Sequence, residues 1–462
     1  MEQQFTPKQL TAYLNEHIIG QEEAKKAIAI AVRNRYRRMQ LPAEIRKEIV
    51  PKNIMMIGPT GVGKTEIARR IATFIHAPFV KVEATKFTEV GYVGRDVESI
   101  IRDLIETSVR IVKDEMRSEV QEQAKKNAEK RLINYLMPKK EKKTEKMANP
   151  FEMLFGQQQE EEEPSEVTID KKRKKSEIGA MLRIGKLEEE LVEIDVPVEQ
   201  SNVLGMMTNQ NNEQMNQIQD MLSSMVPKQS KKKEVLVKEA RVLLEREEAD
   251  KLLDDSKVAE RAVQLTEQSG IVFIDEIDKI ASRTSGQSAD VSREGVQRDI
   301  LPIVEGSAVQ TKYGVVHTDH ILFIAAGAFH VSKPSDIIPE LQGRFPIRVE
   351  LNKLQVDELQ RILIEPKFSL LRQYEQMLST EEVTLTFTED AIEELARVAF
   401  QVNETTENIG ARRLHTILEK VLEELQYEAS DMGPSEVQVN AAYVQEKVGS
   451  ILKDDNLSHF IL

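Results

Sequence analysis

The chain has 462 residues, 40% hydrophobic and 31% charged, with a formal net charge of −14 and no cysteine. This is length and apolar content enough for about three domains, and it excludes disulfides, thiolate nucleophiles and Cys-ligated zinc. The acidity, the missing tryptophan and only 5% aromatic residues argue against a nucleic-acid partner; without a basic-then-apolar leader or an apolar run near 18 residues, a cytosolic protein with no membrane partner is expected.

In chain order, apolar strand-like runs first alternate with amphipathic helical stretches, up to about residue 109. Asn53-Ile54-Met55-Met56-Ile57, closed by Gly58-Pro59, predicts a buried strand. A helix is predicted over 64–72, with Ile67, Ala68 and Ile71 on its apolar face, and a second strand over 78–82. Strand–helix–strand alternation indicates a parallel sheet with covering helices, the α/β class. Between the first strand and its helix, Gly58-Pro59-Thr60-Gly61-Val62-Gly63-Lys64-Thr65 fits the G-x-x-x-x-G-K-[ST] phosphate loop at every position. Gly61 and Gly63 let the backbone fold tightly, so that N–H groups around Val62 point inward at phosphate oxygens. Lys64 supplies a mobile positive charge, the Thr65 hydroxyl is a hard oxygen ligand for Mg²⁺, and Glu66 belongs to the same nucleotide-binding set. The helix that starts here adds its positive end to the anion site.

From about 110 to 241 the composition changes. Long charged helical stretches give way to Gln157-Gln158-Gln159, Glu160-Glu161-Glu162-Glu163, a basic run at Lys171-Lys172-Arg173-Lys174-Lys175 and a Met/Asn/Gln-rich stretch through Met206, Met207, Asn209 and Met215. Such tracts bury too little apolar surface to offset ordering entropy. An inserted helical domain with a partly mobile tip is predicted. The basic run, with acidic residues on both sides, reads as a solvated helical face. The Met-rich stretch fits either an adaptable binding surface or plain packing.

Strand signals resume at Ile271-Val272-Phe273-Ile274, which ends in Asp275-Glu276. Alone, this is compatible with a strand running into an acidic turn. Paired with the phosphate loop it is the Walker B pattern: Asp275 holds Mg²⁺ through water and Glu276 polarises the attacking water. Asp278 reads as structural. The strand Ile321-Leu322-Phe323-Ile324 runs into Ala325-Ala326-Gly327-Ala328, so no Asn, Ser or Thr stands where a second water-orienting residue is usual. Beyond about 352 helical patterns dominate, with one strand-like run at Val383-Thr384-Leu385-Thr386-Phe387. The predicted organisation is an α/β domain in two parts, 1–109 and 242–351, interrupted by the helical insertion 110–241 and followed by a small, mainly helical domain, 352–462.

These motifs, together with His17-Ile18-Ile19-Gly20-Gln21, Gly91-Tyr92-Val93-Gly94, Ser292-Arg293-Glu294-Gly295-Val296-Gln297-Arg298-Asp299, Pro339-Glu340-Leu341-Gln342-Gly343-Arg344, Gly410-Ala411-Arg412-Arg413-Leu414 and the terminal Phe460-Ile461-Leu462, carry a resemblance. The chain resembles the Clp/Hsp100 unfoldases of the AAA+ ATPases, specifically the HslU (ClpY) family. The resemblance covers both ends of the chain, while the insertion matches in position only. It implies ATP and Mg²⁺ bound between subunits of a homo-hexameric ring, with Ile18 and Ile19 against adenine. It also implies Arg344 as a finger reaching the neighbouring subunit's γ-phosphate, supported by Glu340, and Arg412 as the sensor-2 arginine. A guanidinium suits both places, being always charged and forked onto phosphate oxygens; alone, either arginine is compatible with a surface ion pair. Tyr92 and Val93 would form the pore loop that grips unfolded or tagged protein substrates; without the resemblance the segment reads as a tight turn tucking Tyr92 into a core. Phe460, Ile461 and Leu462 would dock on an HslV-like peptidase.

The function so implied is an ATP-dependent unfoldase that threads substrates into a partner peptidase. The sequence has no protease site of its own: no H-E-x-x-H, no cysteine and no G-x-S-x-G. The alternatives are a free-standing AAA+ chaperone, a nucleic-acid remodelling AAA+ ATPase and a small-molecule P-loop kinase. Acidity and the Tyr92 loop argue against the second, and the large insertion and trans arginine against the third.

Overall fold

The apolar runs at Ile54–Ile57, Ile271–Asp275 and Leu322–Gly327 become strands of a parallel sheet that are buried along nearly their whole length. In the computed structural model the described residues are 5–87, 96–137, 166–197, 230–281 and 288–452. Among them the strands, in chain order, are β1 (Ile54–Ile57), β2 (Phe79–Glu83), β3 (Leu191–Pro197), β4 (Ser230–Leu236), β5 (Ile271–Asp275), β6 (Ala308–Thr311), β7 (Gly314–His317), β8 (Leu322–Gly327), β9 (Ile347–Glu350), β10 (Val383–Phe387) and β11 (Ser435–Val439). The chain divides into two units, one formed by Met1–Val112 and Ser256–Leu462, the other by Lys113–Asp255.

The first unit is built on a five-stranded sheet of order β2-β5-β8-β1-β9, parallel throughout. Ile271, Val272, Phe273 and Ile274 of β5 and all six residues of β8 are buried, as central parallel strands require. Parallel pairing brings the carboxyl ends of β1, β5 and β8 to one edge, where ligands of open α/β sheets bind. β1 starts one residue later than the apolar run, because Asn53 works through its side chain. Its Oδ1 accepts from Phe323 N–H at 3.0 Å and its Nδ2 donates to the Arg344 carbonyl at 3.1 Å. The helix after the phosphate loop spans Lys64–Phe74 and buries Ile67, Ala68 and Ile71 under the sheet.

The C-terminal part of this unit pairs β10 with β11 in parallel, Val383 opposite Ser435 and Phe387 opposite Val439. The helices Glu389–Thr405 and Arg412–Met432 pack over the pair, burying Leu395, Ala399, Leu414, Leu418 and Leu422 in a core continuous with that of the sheet.

The second unit holds the greater part of the 38-residue helix Ser99–Leu136, the helices Glu166–Arg183 and Val237–Leu252, and one element the periodicity does not reveal, the antiparallel pair β3–β4. Lys231, Lys232 and Lys233 hide β4 from a hydrophobic pattern, yet Val192 and Ile194 of β3 and Val235 of β4 are buried with Val237, Leu132, Leu182 and Leu244. Lys232 is instead paired with Glu193 across the ladder at 2.7 Å. Val237–Leu252 packs on both strands, so the inserted unit extends to Asp255. Among the described residues no helix is long and apolar enough to cross a membrane.

Candidate nucleotide site

The turn after β1 is held open by two glycines in the left-handed region, Gly61 at φ 75° and Gly63 at φ 99°. Gly61 is also required by proximity: a methyl group there would stand 1.9 Å from the Ile409 carbonyl oxygen. The Ala411 N–H donates to the Gly61 carbonyl at 3.1 Å, so the C-terminal segment lies directly on the phosphate loop. Lys64 is buried, and its Nζ donates to the carbonyls of Gly58 at 2.6 Å and Pro59 at 2.7 Å. Burial pulls its pKa below the usual lysine value. A desolvated ammonium hydrogen-bonded only to neutral carbonyls suits a phosphate, which would supply the missing anionic partner. Glu66, two residues on, is bound by Arg69 and Arg70; burial alone would raise its pKa, but their hydrogen bonds and charges together outweigh it and hold the carboxyl below the usual range.

Asp275 ends β5. Its Oδ2 accepts from the Thr65 hydroxyl at 3.3 Å and pairs with Lys81 Nζ, from β2, at 2.8 Å. Glu276 follows in the left-handed region at φ 57°, a conformation rare for a non-glycine residue. It turns the carboxylate towards Thr85, whose hydroxyl donates to Oε2 at 3.3 Å. Among the described residues no group of three or more His, Cys, Asp or Glu could hold a metal alone. The paired hard oxygens of Thr65 and Asp275 instead fit a small divalent ion that keeps water and phosphate ligands.

Both clusters open into one cavity of about 660 Å³, within the range of small-molecule sites. One wall is His17, Ile18 and Ile19. A further part of the lining comes from the C-terminal part: Leu354, Ile362, Phe368, Ser369, Leu370, Gln373, Ala411, Arg412 and His415. Burial lowers the pKa of His415, favouring the neutral ring. The lining thus combines apolar side chains, among them Ile18, Ile19, Leu354 and Leu370, with the polar groups Lys64, Thr65, Asp275, Glu276 and Arg412. Asp278, read from sequence as structural, is nine-tenths buried and lines it as well. At the end of β8, where no polar strand residue stands, His330 lines the wall.

Of the residues singled out from sequence, Ile18, Ile19, Gly61, Val62, Gly63, Lys64, Thr65, Glu66, Asp275, Glu276 and Arg412 meet here. Glu340 and Arg344 do not line this cavity. They lie on the short helix Pro339–Arg344, both exposed, and the Arg344 guanidinium rests on Glu305 Oε1 with Nε and Nη2 each at 2.9 Å. Tyr92, Val93, Phe460, Ile461 and Leu462 lie outside the described residues. Sequence reasoning missed Lys81, Thr85 and most of the C-terminal wall. Only His415 left a local signal, three residues after Arg412 on the same helical face.

Comparison with known proteins agrees with this geometry. Residues 54–193 match the model of the ATPase family associated with various cellular activities, 197–348 that of the AAA domain (Cdc48 subfamily), and 354–430 the C-terminal, D2-small domain of ClpB protein. The chain is 57% identical to the ATP-dependent protease ATPase subunit HslU of Geobacillus sp. (strain WCH70) over the full length of both. It is 56% identical to the ATP-dependent protease ATPase subunit ClpY of Bacillus subtilis (strain 168), covering 99% of each chain. With the HslU subunit of Staphylococcus carnosus (strain TM300) the identity is 58%, over 99% of this chain and 98% of the relative.

Proposed function

The chain belongs to the HslU/ClpY family of ATPase subunits of ATP-dependent proteases, and from that premise we propose how its own residues do the work. It hydrolyses ATP, and the peptidase is a separate subunit. The observation that carries the reading is the convergence of buried Lys64, the Thr65–Asp275 pair, Glu276 and Arg412 on one cavity that is also lined by apolar side chains.

In this reading Lys64 gives up its carbonyl contacts and places its ammonium on the β- and γ-phosphates, with the N–H groups of 61–65 around them. Ile18 and Ile19 take the base. Mg²⁺, when bound, neutralises phosphate charge, and the Thr65 hydroxyl and the Asp275 carboxylate are the groups that hold it. Glu276 Oε2 turns from Thr85 to accept a hydrogen bond from the attacking water, orienting it in line with the γ-phosphate. Arg412 reports phosphate loss to the C-terminal part through its neighbour Ala411. Arg344, with Glu340 beside it, reaches the site of the adjoining subunit, which requires a closed ring; we take this ring to be a hexamer.

The wider assignment follows the same line. The α/β domain in two parts, with the C-terminal part from about 352 as a lid, is the motor. Tyr92 and Val93 grip the unfolded polypeptide in the pore. Phe460, Ile461 and Leu462 dock on an HslV-like peptidase, and the assembly works in the cytoplasm. The sequence departure at the end of β8 leaves no polar strand residue there to orient the water opposite Glu276.

The test is Glu276→Gln. It is expected to keep ATP affinity within about threefold, since its role falls in the transition state, and to lower kcat at least about a hundredfold. Parental turnover in Glu276→Gln would remove the assignment.

A further inference from the structure

Directly after the cavity-lining Ile18 and Ile19 the chain passes through two consecutive left-handed residues, Gly20 at φ 68° and Gln21 at φ 61°, before the helix Glu22–Met39 begins. Gln21 is no glycine, so this conformation costs about 1 kcal/mol or more and needs something to hold it. Its own carbonyl accepts from Lys25 N–H at 3.0 Å. Its side chain, nine-tenths buried, does something else: Nε2 donates to the Asn352 carbonyl and Oε1 accepts from the Asn352 N–H, both at 2.9 Å. One primary amide thus satisfies both backbone groups of a single residue 331 positions away, as a neighbouring strand would.

Asn352 is no arbitrary partner. It lies in the linker 351–355 that leads from β9 into the C-terminal part. Leu351, just before it, donates its N–H to the Ile57 carbonyl at 2.8 Å, at the threshold of the phosphate loop, and a methyl on Gly58 would meet the Leu351 carbonyl at 2.5 Å. On the far side, Gln355 and Glu358 form a capping box on the helix Val356–Ile364. Glu358 Oε1 lies against Gly20, where a methyl would be only 2.3 Å away. On the cavity side, Lys25 Nζ donates to the Ile18 carbonyl at 2.8 Å and to Asn15 Oδ1 at 2.6 Å, fixing the loop's other end. The linker is therefore held by the end of β1, at the entrance to the phosphate loop, at one residue and by the base-lining loop at the next.

We infer that Gln21 is a positioning residue: its amide clamp on Asn352 ties the base-lining loop to the linker, so that nucleotide in the cavity sets the linker's geometry. The inference rests on the cavity being the ATP site. It accounts for a non-glycine residue held at positive φ next to the cavity-lining Ile19, and it ties the linker to the base-lining loop in addition to Leu354, which lines the cavity directly. The connection lies at the base end, where Arg412 does not act.

The test is amide hydrogen exchange on the full-length protein, with and without the Mg²⁺ complex of a non-hydrolysable ATP analogue, followed in peptides covering 18–21 and 351–355. In the parental protein both peptides are expected to slow by about fivefold or more, the scale of one hydrogen bond. In Gln21→Met, which keeps length but neither hydrogen bond, 18–21 still slows while 351–355 responds by less than about twofold. Its kcat for ATP falls by about tenfold while KM stays within about twofold, a split that loose packing at the base loop would not give. Gln21→Glu, which keeps the acceptor but sets a carboxylate against the Asn352 carbonyl, speeds linker exchange even without nucleotide. The inference is overturned if the linker of Gln21→Met responds as the parent does. It is equally overturned, without any variant, if parental 18–21 slows and 351–355 does not. Failure of the parental protein to bind the analogue at all, seen by equilibrium binding, would refute the ATP-site reading itself and the clamp with it.

Discussion

Replacing Gly61 with alanine tests the close approach on which the site is built. The new methyl would stand 1.9 Å from the Ile409 carbonyl oxygen, 2.8 Å from its carbon and 3.1 Å from Gly410 Cα. Side-chain methyls essentially never come within 3.0 Å, so the two backbones must separate by the difference, about 1.1 Å. That separation breaks the Ala411 N–H bond to the Gly61 carbonyl, worth about 1 kcal/mol. The φ of 75° adds about 1 kcal/mol of strain for a residue with a Cβ. The protein should therefore lose about 2 kcal/mol and melt several degrees lower while still folding. Hydrolysis suffers more, because the moved residue adjoins Arg412. A displacement near 1 Å at a positioned group costs on the order of a hundredfold in kcat/KM. A coupled ATPase assay and a thermal melt read both numbers. Gly433→Ala is the control: it too has positive φ, at 65°, but nothing within 4 Å of the new methyl, so it should lose stability alone. Gly61→Ala with parental kcat/KM would refute the account of how the C-terminal part reaches the phosphate loop.

Lys64→Met removes a buried ammonium and should raise the melting temperature of the nucleotide-free protein while abolishing the rise that ATP produces; a retained ATP-dependent rise contradicts the role of Lys64. Arg344→Ala should leave nucleotide affinity of isolated subunits within about twofold and cut hydrolysis in the assembled ring by about a thousandfold, as loss of a trans arginine does; parental turnover would leave Arg344 simply an ion-pair partner of Glu305. His320 makes stability pH-dependent. Burial and then the Arg38 guanidinium, 2.6 Å from Nε2, lower its pKa, so the folded state binds fewer protons than the unfolded chain. Its contribution is complete above the ordinary value of about 6.5 and is lost as pH falls through the lower folded value. Denaturant midpoints at several pH values should therefore drop less steeply with acid in His320→Gln than in the parent, and equal slopes would contradict this.

How much was legible beforehand depended on whether chemistry or partnership fixed a residue. The phosphate loop and Asp275-Glu276 could be read directly, because holding phosphate and metal restricts residue types at short spacing. β1, β5 and β8 showed as apolar runs because buried parallel strands have no polar face, whereas β2 and β10 showed through β-branched and aromatic residues alternating with polar ones. β3 and β4 did not show, since Lys232 and Lys233 of β4 are exposed and the two strands gain their core only by pairing. The partnerships of Gly61 with Ile409, Gln21 with Asn352, and Lys81 with Asp275 join residues remote in sequence, and no local pattern announces them. The C-terminal wall was invisible for the same reason: Phe368, Ser369 and Gln373 look like any amphipathic helix start until the linker folds them over the cavity.

The central claim, that ATP hydrolysis at this cavity drives protein unfolding for a separate peptidase, is tested most directly by degradation of a stably folded fluorescent protein carrying an unstructured tag. The purified chain, an HslV-type peptidase and ATP are combined, and loss of native fluorescence is followed alongside phosphate release. The account predicts loss of fluorescence with the parental chain and ATP, and none with Glu276→Gln or with a non-hydrolysable analogue. Equal fluorescence loss under all three conditions, or brisk phosphate release with the tagged substrate left folded, would contradict it.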